Sequence, residues 1–183
     1  MKVSKFIFFG FFLAVLILVG YGFYTKIKEK KAIFSLNYHE EKELFVINSP
    51  GFFNKSGISV SLLQLKNSDI HYFEKPPADF FDYYPKLPSP FYKNWNIIKW
   101  KNTPSKKVDN QYIKIALSDN EDDLFLDEDV VPNFIQTLHF VRSLLDEQGN
   151  YYAILYKLND NNKYKVNLYV VSPKRNLLVE INR

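Results

Sequence analysis

The chain has 183 residues, is 46% hydrophobic and 17% aromatic, carries a formal net charge of +4 and contains no cysteine. The absence of cysteine excludes a disulfide framework, thiolate catalysis and a lipid-modified cysteine. The positive charge is local, since residues 1–31 hold six lysines and one glutamate and leave 18 basic against 19 acidic residues elsewhere, so no basic surface for nucleic acid is expected.

From Phe6 to Tyr24 no residue is charged, and the run Phe6 to Val19 is almost wholly apolar. At about 1.5 Å per helical residue this stretch nearly matches a hydrocarbon core of about 30 Å. A secretory signal is the competing reading, with Lys2 and Lys5 as its basic start and Gly20-Tyr21-Gly22 as a cleavable end. Tyr21, Phe23 and Tyr24, followed by Lys26, Lys28, Lys30 and Lys31, read instead as the interfacial belt of an uncleaved anchor, with lipid as partner. Those four lysines outnumber Lys2 and Lys5, so the positive-inside count places the following domain in the cytosol. The layout of a short basic tail, one apolar helix and a long trailing domain favours export. We therefore expect an anchor over residues 1–31 and one α+β domain over residues 32–183, displayed in the cell envelope.

Within the domain, alternation predicts strands at Leu44–Ile47, Ile58–Leu62 and Tyr112–Leu117, and a further one between Trp95 and Trp100. A helix is expected over Val131–Glu147. Val131, Phe134, Leu138, Val141 and Leu145 share one face, Pro132 suits a first turn, and Gly149 supplies a stop. Three strands follow at Tyr151–Leu158, Tyr164–Val171 and Leu177–Ile181, close enough to form an antiparallel meander that the helix covers. Phe140 projects away from the stripe, as though the helix were covered twice or the ring exposed.

The segment Tyr72–Trp100 is compositionally unusual, with ten aromatic residues and five prolines. Prolines at 76, 77, 85, 88 and 90 predict a stiff, irregular excursion. Its rings (Phe80, Phe81, Tyr83, Tyr84, Phe91, Tyr92, Trp95 and Trp100) either hold the loop onto the sheet or present a surface, to another envelope protein first, or to a sugar ring or lipid headgroups.

Motifs for chemistry are lacking. The acidic run Asp119–Asp129 has Leu124 and Val130 where a calcium loop needs glycine and glutamate. His39, His71 and His139 have no zinc spacing, and His39-Glu40 lacks the second histidine of a metalloprotease helix. Gly57-Ile58-Ser59 lacks the closing glycine of a nucleophile elbow, and the domain's three glycines are too dispersed for a phosphate cradle. No cofactor or metal is expected. The leading expectation is a non-enzymatic interaction or accessory module; the enzymatic alternative is a tethered hydrolase or binder of wall polysaccharide, with paired carboxylates and aromatic platforms.

Overall fold

The computed structural model describes residues 3–34, 42–49, 57–87, 92–118, 130–158 and 164–183. It opens with the helix α1 (Val3–Phe34), which is exposed from Phe8 to Tyr24 and is long and apolar enough over Phe8–Phe34 to cross a membrane. The helix continues without a break past the four lysines, because nothing between Lys26 and Phe34 is a proline or a glycine.

Six strands then build one antiparallel sheet: β1 (Lys42–Ser49), β2 (Ile58–Gln64), β3 (Asn96–Asn102), β4 (Tyr151–Leu158), β5 (Tyr164–Ser172) and β6 (Leu177–Asn182). Their order is β1-β2-β6-β5-β4-β3. The expected meander is β4-β5-β6, with Ile154 opposite Leu168 and Leu168 opposite Ile181. The turn from β5 to β6 uses a 3-10 turn at Pro173–Arg175 and a left-handed Asn176, a conformation that asparagine tolerates well. The result is an α+β fold, as alternation and the helix stripe imply.

The sheet is covered on both faces. On the first lie α4 (Asn110–Ala116) and α5 (Val131–Asp146). Phe134, Leu138, Val141, Leu144 and Leu145 of α5 are buried against Tyr152, Ile154, Val166, Leu168, Val170 and Val179 of the strands. Gly149 has φ +90 and turns the chain into β4, while Asn150 donates its side-chain N–H to Leu144 O at 2.8 Å, satisfying a carbonyl of the last turn. Phe140 is half-buried and packs against this same core. It therefore lies across the sheet from the proline–aromatic segment and is not covered by it.

One expectation needs correction. Tyr112–Leu117 belongs to a helix and its end, not to a strand: Tyr112, Ile113, Ala116 and Leu117 are buried, a spacing of one helical stripe, whereas alternation would have split them between two faces. Short apolar runs fit both periods, and here packing onto the sheet selects the helical one. The described part of the proline segment, 76–87, is irregular apart from a single helical turn, and a regular helix precedes it. That helix is α2 (Asn67–Glu74), with Ile70 and Phe73 buried one turn apart, and the single turn is α3 (Phe80–Tyr83). The prolines lie outside both helices. The acidic run 119–129, His39 and the turn after Leu158 lie outside the described residues.

Candidate functional site

The second face of the sheet is covered by α2, α3, the approach to β3 and the end of α1. Phe80 sits at its centre, fully buried. Its ring stacks on Trp100 at 5.8 Å and on Tyr84 at 6.0 Å, and meets Tyr72, Phe73 and Phe81 edge-on. Phe81 also contacts Tyr151 of β4. Such offset and edge-to-face pairs contribute about 0.5–1.5 kcal/mol each beyond their buried area. The loop is thus held down by its own rings.

Into this cluster the helix α1 inserts its last turn. Ile33 and Phe34 are buried, and Phe34 packs on Trp100 at 5.5 Å and edge-on to Tyr169 at 5.6 Å. The Trp100 indole donates Nε1–H to Ile33 O at 2.9 Å, and the Lys86 backbone N–H donates to Ala32 O at 2.8 Å. Two carbonyls that a helix end leaves without intrahelical partners are therefore satisfied by the domain. One turn earlier, Tyr92 donates its hydroxyl proton to Glu29, and Lys30 forms an ion pair with Glu180 of β6. Burial, then the Glu29 carboxylate, pushes the Tyr92 phenol above its ordinary range and keeps it a donor. Tyr169, fully buried behind it, is raised well above the usual value, by burial first and then by Glu180.

Of the residues singled out by sequence, Phe80, Phe81, Tyr84 and Trp100 come together in one cluster, and Tyr92 and Trp95 form a second pair at 5.1 Å beside the helix. Tyr83 stands apart, 56% exposed, next to Leu87 at 40%. The Lys86 ammonium lies over the rings of Tyr84 and Tyr83 at 4.9 and 5.7 Å. Phe91 lies outside the described residues. Among the lysine flank, Lys28 and Lys31 are exposed, Lys30 turns into the domain, and Lys26 is on the helical backbone.

Sequence reasoning missed Ile33 and Phe34 as members of the site. Their signal was an apolar pair directly after four lysines, three to four residues from Glu29 and Lys30, where a helix continued from the span would carry both to one side. Tyr151 and Tyr169 were equally silent, because each reads as an ordinary core residue of its own strand.

On the other face, Asp109 is buried, accepts the Tyr152 hydroxyl at 2.6 Å and pairs with Lys101 at 2.7 Å. Burial and then Asp109 hold Tyr152 above its ordinary range, so it is a structural donor and not an activated phenolate. Tyr112 stacks on Tyr156 at 3.9 Å and is raised to about 12, by burial first and then by that neighbour. His71 is exposed, with Nδ1 3.2 Å from Glu74, and His139 is exposed on α5. Among the described residues, no three histidine, aspartate or glutamate side chains gather as a metal-ligand set. Comparison with models of protein families, with curated proteins and with solved structures finds no match to this chain.

Proposed function

We propose that the protein is a single-pass, membrane-anchored accessory module of the cell envelope, which holds an exported α+β domain rigidly on its anchor and binds another envelope protein. The observation that carries this reading is the insertion of Ile33 and Phe34 into the aromatic cluster, with the Trp100 indole bonded to Ile33 O. A flexible tether lets a domain search; a helix whose last turn is part of the domain core fixes its height and orientation instead. That is what a module presenting one surface to a neighbour in the same membrane requires. The partner-facing part of the aromatic segment narrows to Tyr83 and Leu87 beside Lys86, since the other described rings of the segment pack against one another, the sheet or α1.

The test is site-specific photocrosslinking in intact cells from positions 83 and 87, with position 108 as an exposed control, combined with protease treatment before and after opening the cytoplasmic membrane. Adducts to one envelope protein from 83 and 87 but not 108, on a domain digested while that membrane is closed, support the reading. No adduct, or a domain protected until the cytoplasmic membrane is opened, refutes the partner surface or the exported side respectively.

A further inference from the structure

The docking of α1 also fixes which end of the sheet faces the bilayer. Glu29 meets Tyr92 just ahead of β3, and Tyr92 also engages Asn167. Four to five residues later, Ile33 and Phe34 have advanced to Trp100 and Tyr169. The helix therefore enters over the end where β4 runs out and β5 begins. From Glu29 back to Tyr24 is about 7.5 Å of helix, and from Asn167 back to Lys165 is about 7 Å of strand. Lys165 is at this same end of the sheet, two residues before Asn167.

At that end Lys157 and Lys165 are direct cross-strand partners, so their side chains share the face on which α1 lies. Like charges placed opposite one another on a ladder repel, a penalty that an anion between them relieves. Lys157 lies over the Trp95 ring at 5.5 Å, and Lys93 is exposed two residues before that ring. Leu158 and Tyr164, 52% and 39% exposed, add an apolar and a phenolic side chain at the same end. Of the carboxylates at the helix entry, Glu180 is ion-paired with Lys30, and Glu29 accepts the Tyr92 hydroxyl and keeps its negative charge.

We propose that this end of the sheet rests on the bilayer that α1 crosses and binds anionic phospholipid headgroups through Lys157 and Lys165, with Trp95 at the interface. The proposal rests on the reading of α1 as a membrane span. Lysines next to an anionic surface, and aromatic rings with one wet edge, are the side chains that such a contact uses.

Because the chain contains no cysteine, single reporters can be placed in the full protein. Fluorophores at Asn96→Cys, beside Trp95, and at Val108→Cys, at the opposite end of the domain, are compared in nanodiscs containing a headgroup-nitroxide lipid. The discs are phosphatidylcholine alone or mixed with phosphatidylglycerol. Quenching several-fold stronger at position 96 than at 108 in the mixed discs, falling to the phosphatidylcholine level in Lys157→Glu/Lys165→Glu and at high salt, is the expected result. Equal quenching at 96 and 108, quenching indifferent to phosphatidylglycerol, or quenching unchanged by the double reversal overturns the proposal. Failure of the span reading is seen separately, as protein that leaves the discs in alkaline carbonate.

Discussion

The two faces of the sheet are covered by different means. One carries α5, an amphipathic helix of ordinary design whose stripe of Phe134, Leu138, Val141 and Leu145 packs on alternating strand residues. The other carries a proline-rich segment whose rings pack on one another and on the end of a helix that is long and apolar enough to cross a membrane. The first face is a domain core that would be recognisable in any soluble protein. The second is a joint, because Ile33 and Phe34 at the end of α1 are part of its core.

The largest effect that separates the two is expected from Trp100→Ala. It removes a buried ring that touches Phe34, Phe73 and Phe80, together with the indole bond to Ile33 O. A loss of about 3–5 kcal/mol is expected in denaturant titration of the full chain in micelles. Amide exchange at residues 29–34 should rise well above that of α5. Leu138→Ala, on the helix face, should cost about 2–5 kcal/mol, yet leave exchange at 29–34 in step with the rest of the fold. If both variants loosen residues 29–34 equally, the joint is not a separate unit and the contrast between the faces fails.

The difference between the faces also explains what was legible in the sequence. Periodicity reports which side of an element is buried against something, and it found α5 and the strands β1 to β6 because their partners are regular surfaces. It could not find the joint, because Ile33 and Phe34 sit beyond a lysine run that reads as the end of an anchor, and because Trp100 acquires its role by packing on Phe34 and bonding Ile33 O, far away in sequence. Tyr112–Leu117 failed for a narrower reason: so short a run of mixed apolar and polar character satisfies a period of 2 and a period of 3.6 almost equally well. The aromatic richness of 72–100 was visible at once, but composition alone does not tell a self-packing cluster from an exposed surface.

Alkaline titration should loosen both faces, in a window set by their phenols. Tyr112 and Tyr152 on the α5 face, and Tyr92 and Tyr169 at the joint, are all raised above the ordinary value of 10.0, chiefly by burial. Below pH 10 each is protonated in folded and unfolded chains alike, so stability does not respond. Above it the unfolded chain gives up protons that the folded chain retains, so the unfolded state gains and stability falls. The slope is up to about 1.4 kcal/mol per pH unit for each such tyrosine. The melting temperature should be flat to about pH 10 and fall through about pH 12, where Tyr112 titrates in the fold. Tyr169→Phe, measured the same way, should shallow that limb by about one tyrosine's share.

The smallest expected effect bears most directly on function. Tyr83 and Tyr84 are neighbours, share the Lys86 ammonium and would be treated alike by any reading of composition. Tyr84 stacks on Phe80, and its backbone carbonyl accepts the Trp100 N–H at 3.1 Å, so Tyr84→Ala should destabilise the joint by about 1–3 kcal/mol. Tyr83 is 56% exposed, and Tyr83→Ala should change stability by less than about 0.5 kcal/mol. A variant that folds, melts and inserts like the parent yet loses its crosslinked partner assigns Tyr83 to recognition. If Tyr83→Ala keeps the partner and only Tyr84→Ala loses it, the aromatic segment acts solely as the socket of α1, and recognition must be sought on another surface of the domain.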